Sequence, residues 1–347
     1  MGSTLRERAK QAMKGGEKSP PNIKHNNSGN LDTMISTGST LLDLAISGTV
    51  TKYGGVPVGI LMELYGPPGA GKTGVLSEMA GNAIRAGGTS AILDPEGRMD
   101  KEYAKVFGLD LDKNIDYSMP NTVTDVFDFI EQWEPETDAG PNMVMTDSLA
   151  ALSTKMEMDD EDAMGMRRAK EFSQCLRKVC RQIKNKNWLI ACTNQVRVNL
   201  QSGGETTPGG MGIPFYSSLR IRIAHAYRNK FLKKTATING VKQEKIYGVK
   251  SECIIKKSSI DVPYRSAFIY FIFDYGIDDV RANLEYLKDN TEVNGYEING
   301  KIYKTMGKAI EVVEENELED EIKERTVTLW HQIQEALTIT RKTKKRK

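Results

Sequence analysis

The chain has 347 residues, a formal net charge of +2 and 39% hydrophobic residues. That is enough apolar material for a sizeable core, and the charge balance is too even to name a partner by itself. No run of about 18 apolar residues occurs and no secretory leader pattern is evident, so a soluble cytoplasmic protein with no membrane partner is expected. The four cysteines (Cys175, Cys180, Cys192 and Cys253) form no C-x-x-C pair, and the three histidines lie far apart. Neither a zinc site nor a disulfide framework is expected.

In chain order, Thr4 to Lys14 places Leu5, Ala9, Ala12 and Met13 toward one side of a short amphipathic helix. Gly15 to Asp32 is rich in Gly, Pro, Asn and Ser and reads as a linker. From Met34 to about Asp279, apolar runs alternate with helical patterns. The expected strands are 60–65, 89–94, 143–146, 188–193, 218–224, 250–256 and 267–273, with helices at 75–86, 123–133 and 169–184 between the earlier ones. Strand–helix alternation predicts an α/β fold with a mostly parallel, doubly wound sheet and its ligand at the carboxyl ends of the strands. The last strands have little helix between them, so antiparallel pairing is expected at one edge.

Beyond Asp279 the pattern changes to a helix at 283–290, a hairpin at 296–303 turning at Asn299-Gly300, and a helix-rich stretch at 304–336. This predicts a small α+β C-terminal domain. The expected division is residues 1–33 (helix and linker), 34–279 (core), 280–336 (small domain) and 337–347 (tail). Charge is uneven here: residues 311–324 are strongly acidic, and Arg341 to Lys347 is almost wholly basic, the pattern of an arm for nucleic acid or of a solvated end.

The most informative segment is Gly66-Pro67-Pro68-Gly69-Ala70-Gly71-Lys72-Thr73, followed by Gly74. It lies between an apolar strand and a helical pattern, where a G-x-x-x-x-G-K-[ST] loop turns backbone N–H groups and a helix N-terminus toward phosphate oxygens. Lys72 then reaches the β- and γ-phosphates and the Thr73 hydroxyl sits on Mg²⁺. A second apolar strand ends in Asp147, placed to hold a Mg²⁺-bound water opposite Thr73. A third ends at Leu93-Asp-Pro-Glu96, where a carboxylate can deprotonate an attacking water. A fourth ends at Asn194-Gln195. A neutral amide on the γ-phosphate, at the root of the polar, glycine-rich loop 199–212, can report nucleotide state to whatever that loop binds.

These elements together make the chain resemble the bacterial RecA recombinase family. The motifs fall in the family's order: Ile35-Ser-Thr-Gly-Ser39 with Leu42-Asp43, Gly54-Gly55-Val-Pro57-x-Gly59, the phosphate loop, Glu96-x-x-x-Asp100-x-x-Tyr103, and Thr146 to Leu152. They continue with Met164-Gly165, Ser173-Gln174-x-x-Arg177-Lys178, Asn194-Gln-Val-Arg197, Thr206-Thr207-x-Gly209-Gly210 and Phe215-Tyr216. The resemblance spans roughly residues 34–276. It implies a RecA-like P-loop ATPase core and an ATP- and Mg²⁺-dependent homo-oligomeric helical filament on single-stranded DNA that pairs it with homologous duplex. It further implies Glu96 as the catalytic carboxylate, with Lys72 and Gln195 at the γ-phosphate and Asp100 with Tyr103 on adenine. Two DNA-binding loops follow. The first holds Met164, Gly165, Arg167 and Arg168; the second holds Val198, Asn199, Leu200, Gly209 and Gly210. Arg177 and Arg197 supply charge.

Departures from the family pattern accompany the likeness. In the family, two lysines of a neighbouring subunit touch the γ-phosphate. Here Lys257 takes the first position and Ser259 the second, with Lys256 a substitute. Pro208, Met211 and Pro214 replace the usual Thr, Asn and Lys of the second loop, and the C-terminus is basic where the family's is acidic. Two other readings of the same motifs are a ring-forming helicase motor, with Arg220 or Arg222 reaching across an interface, and an ATP-binding mediator of another recombinase.

Overall fold

A computed structural model describes residues 28–154, 165–198, 204–339 and 341. The expected N-terminal helix, most of the linker, and the last six residues of the basic tail lie outside these. The elements run β1 (Asn30–Ile35), α1 (Thr40–Ser47), β2 (Val56–Val58), β3 (Ile60–Gly66), α2 (Lys72–Arg85), β4 (Ser90–Leu93), α3 (Lys101–Val106) and β5 (Ile115–Ser118). Next come α4 (Val123–Gln132), β6 (Asn142–Thr146), α5 (Gly165–Lys186), β7 (Trp188–Gln195), the short pair β8 (Arg197–Val198) and β9 (Glu205–Thr206), α6 (Gly212–Tyr216) and β10 (Leu219–His225). The remainder is β11 (Phe231–Ile238), β12 (Val241–Ser258), β13 (Ser266–Ile272), β14 (Gly276–Ile277), α7 (Asp279–Asp289), β15 (Tyr296–Ile298), β16 (Lys301–Tyr303), α8 (Met306–Glu315) and α9 (Glu319–Ala336).

One ten-stranded sheet organises the molecule, in the order β14-β13-β12-β10-β3-β7-β6-β4-β5 with β11 attached to β12. From β10 to β5 every neighbour is parallel, whereas β12 pairs antiparallel with β10, β11 and β13. Strand β3 is buried along its whole length because helices cover both faces. Alternate residues feed two cores. Met62 and Leu64 join Val75, Leu76 and Met79 of α2 on one face. Leu61 joins Phe127 of α4 and Phe172 and Leu176 of α5 on the other. Helix α4 starts at a reciprocal cap: the Thr122 hydroxyl accepts from the Asp125 N–H, and the Asp125 carboxylate accepts from the Thr122 N–H.

The expected doubly wound sheet with an antiparallel edge is present. The linker reading needs correction at its end, because β1 crosses the expected 33/34 boundary and pairs antiparallel with β2. Its Asn30 and Asp32 look like turn residues in the sequence; the β2 ladder and the half-burial of this segment outweigh their low strand propensity. After Asp279, the predicted helix and the hairpin turning at Asn299-Gly300 are found, and Leu284, Tyr296, Ile298, Val313 and Ile322 gather into a cluster of their own. Trp330 of α9 packs against Leu44 of α1.

Candidate functional site

Four parallel strands, β3, β7, β6 and β4, end at one edge of the sheet, and their exits surround a cavity of about 200 Å³. The phosphate loop forms one wall. Gly71, at φ +94 where an L side chain is strained, caps the start of α2, so the loop's backbone can turn its N–H groups inward before the helix begins. Lys72 bends over this loop, its Nζ donating to the carbonyls of Gly66 (3.0 Å) and Pro67 (2.9 Å). Burial holds the Lys72 ammonium below the usual lysine range, opposed by the carboxylates of Asp147 and Glu96.

Asp147 follows β6 and accepts two hydroxyls. Thr73 Oγ1 donates to Oδ2 at 2.5 Å, and Thr193 Oγ1 of β7 donates to Oδ1. The peptide bond between Asp147 and Ser148 is cis. Thr73 and Asp147 thus present a hydroxyl and a carboxylate side by side at the start of α2, an all-oxygen pair suited to a hard cation that keeps most of its water shell. Glu96 enters from the loop after β4 and pairs with Arg98 at 2.7 Å. Buried Asp94 closes that loop, accepting from the Met99 N–H (2.8 Å) and the Tyr117 hydroxyl (2.9 Å). Tyr103 completes the wall, its phenol pushed up to about 12 by burial and then by the Asp147 charge.

Of the residues singled out in the sequence, Pro68, Gly69, Lys72, Thr73, Glu96, Tyr103, Asp147 and Gln195 line this cavity. Gly66, Pro67, Ala70 and Gly71 build the loop behind it, and Gly74 lies buried in the first turn of α2. Asp100 is exposed, and its carboxylate caps α3 by accepting from the Tyr103 N–H. Sequence reasoning gave no role to Asp94, Arg98, Met99, Ser148 and Thr193, which also line the cavity. Thr193 carried a legible signal, standing beside Asn194-Gln195 at a strand end. Asp94 stood inside the motif quoted for Glu96.

The second polar surface begins at Asn194. Its amide donates to Glu63 Oε1 and to the Pro208 carbonyl, both at 3.0 Å, tying the phosphate-loop strand to the far side of loop 199–212. Glu63 is fully buried and accepts from Arg220 Nε at 2.5 Å, and the Arg220 guanidinium lies 4.6 Å from the Tyr65 ring centroid. Gly209 and Gly210 lie over α5 at positive φ. A Cβ on Gly210 would fall 2.6 Å from that of Ala169, so glycine permits the close approach. Gly165 opens α5 and Arg177 is exposed along it; Arg197 is exposed in β8. Met164, Asn199 and Leu200, and the side chains of Arg167, Arg168 and Val198, lie outside the described residues.

Lys256 and Lys257 of β12 do not line the cavity of their own chain. Lys256 is exposed. Lys257 is held by the carbonyls of Pro214 and Phe215, each 2.8 Å from its Nζ, and burial with the nearby Arg220 charge lowers its pKa. Arg222 makes a two-bond contact with Glu205 at 2.6 and 2.5 Å. No helix of the described residues is long and apolar enough to cross a membrane.

A mostly parallel sheet, a glycine-rich phosphate loop before a helix, and carboxylates at neighbouring strand ends define a RecA-like nucleotide-binding core. The family model of the RecA N-terminal domain matches residues 9–278, and a crystal structure of the RadB recombinase shares the fold, with a TM-score of 0.50, 16% identity, and coverage of 70% of this chain and 98% of that one. This chain belongs to the RecA family, and is therefore a nucleotide- and DNA-binding protein of recombination and repair.

Proposed function

We propose that the chain hydrolyses ATP between subunits of a helical filament on single-stranded DNA, and that the filament pairs this strand with homologous duplex. The observation that carries the reading is the convergence of Lys72, Thr73, Glu96, Asp147 and Gln195 on one cavity from four strand exits.

In this reading Lys72 leaves the carbonyls of Gly66 and Pro67 to meet the β- and γ-phosphates, joining the loop's N–H groups. Thr73 and Asp147 hold Mg²⁺, which supplies charge neutralisation on the phosphate oxygens when bound. Glu96 takes the proton of the attacking water, and Gln195 contacts the γ-phosphate. Asn194, the next residue, is bonded to Glu63 on one side and to Pro208 on the other, so a shift at Gln195 is passed to the loop proposed to hold DNA. Tyr103 faces the base, while Asp100 positions it as the cap of α3. Lys256 is the better candidate for a neighbour's γ-phosphate, because Lys257 is engaged within its own chain. The same logic weighs against Arg220 and Arg222 as the reaching arginines of a ring motor, since both are paired internally.

The test is steady-state ATP hydrolysis with and without single-stranded DNA, for wild type and Glu96→Gln, with negative-stain imaging of the same samples. The expected result is DNA-stimulated turnover that Glu96→Gln loses while helical filaments persist. Rings, or isolated subunits without DNA stimulation, would overturn it.

A further inference from the structure

Lys72 and Arg98 are the two cations among the described residues that line the cavity, and they face three carboxylates, Asp94, Glu96 and Asp147. The wall is therefore net negative before a triphosphate adds its own charge. Lys72 stands on the phosphate loop, resting on the carbonyls of Gly66 and Pro67. Arg98 comes from a different wall, the loop after β4, beside the carboxylate proposed to take the water's proton.

The backbone of Arg98 is fixed while its side chain is free. Asp94 ties down both of its chain neighbours: the Asp94 carbonyl accepts from the Gly97 N–H at 3.2 Å, and its carboxylate accepts from the Met99 N–H at 2.8 Å. Gly97 makes the turn at φ +62. The Arg98 side chain is 81% exposed, and its one ion-pair contact runs from Nη1 to Glu96 Oε2 at 2.7 Å. A single contact at that exposure is weak and screened by water. Arg85 shows what a structural arginine looks like in this chain, with bonds to Glu78, Asn82 and the Phe107 carbonyl. Arg98 has no such set of partners and holds no segment in place.

We propose that Arg98 is a catalytic residue of this site, whose guanidinium leaves Glu96 for the terminal phosphate of the bound nucleotide. A planar fork fits two phosphate oxygens, and arginine stays charged at any working pH. One movement then has two effects: it brings positive charge to the phosphate and frees the Glu96 oxygen that must accept a proton. In the step itself the water oxygen bonds to the γ-phosphorus as the bond to the β–γ bridging oxygen breaks. ADP keeps that electron pair, Glu96 receives the water's proton, and Arg98 neither gains nor loses one. The inference rests on the ATP-hydrolysis reading for its substrate, and on the placement of Arg98 for everything else.

The experiment pairs calorimetric binding of the non-hydrolysable analogue AMP-PNP and of ADP, each with Mg²⁺, with steady-state ATP hydrolysis on single-stranded DNA. The full chain is compared as wild type, Arg98→Ala, Arg98→Lys and Lys101→Ala, the last an exposed cation that pairs with Asp112 away from the cavity. Arg98→Ala is expected to bind AMP-PNP about tenfold more weakly while ADP stays within about twofold of wild type. Its kcat should fall by about 10²-fold or more. Arg98→Lys should regain part of the AMP-PNP affinity and less of kcat, because a point charge lacks the fork. Lys101→Ala should match wild type throughout. Wild-type values in Arg98→Ala, or an equal loss for both nucleotides, would overturn the proposal. Faster turnover in Arg98→Ala would also overturn it and make Arg98 a restraint on Glu96. A wild type that binds AMP-PNP but hydrolyses no ATP would sink the hydrolysis reading and the catalytic step with it, whereas the binding comparison would still sustain or sink the phosphate contact.

Discussion

The two halves of the central sheet treat polar groups in opposite ways. In the parallel half, β3, β4 and β6 are buried from end to end, and their polarity is confined to their carboxyl exits or matched inside, as at Glu63 with Arg220 and Asn194. In the antiparallel half, β12 runs from fully buried Cys253 out to exposed Lys242, where with β11 it forms a two-stranded ribbon whose charges meet water. The contrast shows where a charge is held by structure and where it is merely displayed. Breaking the first kind of charge must cost stability; breaking the second must not.

The largest expected effect is at the interior ion pair. Glu63→Ala leaves the Arg220 guanidinium, 17% exposed, without its carboxylate and removes an acceptor of Asn194. A loss of about 3–5 kcal/mol is expected, read as a lower urea midpoint at unchanged m-value. Glu244→Ala removes the ribbon's ion pair, whose partners are 46% and 47% exposed, and leaves the midpoint where it was. Equal shifts in the two variants would dissolve the distinction between the halves.

Next in size is Lys72→Ala, at the exit of β3. Its ammonium rests on two loop carbonyls and is proposed to move to phosphate, so removing it takes away transition-state charge stabilisation. Turnover is expected to fall by about 10²–10³-fold with the fold intact by circular dichroism. Near-normal turnover in this variant would remove Lys72 from the proposed chemistry.

Asp43 tests the comparison from outside the sheet. It lies in α1, is fully buried, and has hydroxyls and an N–H from Ser36 and Thr37 but no cation, with Asp279 nearby. Burial, the largest cause, raises its carboxyl from 3.8 to about 6. Between these values the folded state holds a proton that the unfolded state has released. The contribution is therefore present at low pH and is lost as pH rises through about 6, to a total of about 3 kcal/mol. Asp43→Asn has no such proton to lose. Its stability relative to wild type should improve between pH 4.5 and 7.5, followed by urea melts across that range. Parallel pH profiles for the two proteins would show that Asp43 ionises without cost.

The same contrast governs what could be read from sequence. Strands β3, β4, β6 and β7 were legible because burial on both faces writes them as unbroken apolar runs, and the site residues follow directly at their ends. Strands β1, β5 and β11 were not, because at a margin or in solvent the ladder forms with little apolar pattern; β11 has two adjacent lysines in its middle. Helix α1 was missed for the opposite reason. All eight of its residues are buried, so it shows no polar face to mark a period. Thr193 and Asp94 stand beside legible residues at strand ends, but their partners Asp147 and Tyr117 lie in other segments, and no local pattern encodes those pairings.

The smallest expected effects lie within a single strand, and they test the comparison with chemistry held nearly constant. Ile255 of β12 is fully buried between β10 and β13, and Val241 of the same strand is 57% exposed at the ribbon tip. Each can lose methyl groups: Ile255→Val removes one, Val241→Ala two. Area alone would make the second change the larger. Burial reverses the order, because only at 255 does the deletion leave unfilled space among packed neighbours. Ile255→Val should cost about 0.5–1.5 kcal/mol, and Val241→Ala less than about 0.5 kcal/mol, in chemical-denaturation melts. A larger loss at Val241 would mean that the tip packs against protein, and that the ribbon is held rather than displayed.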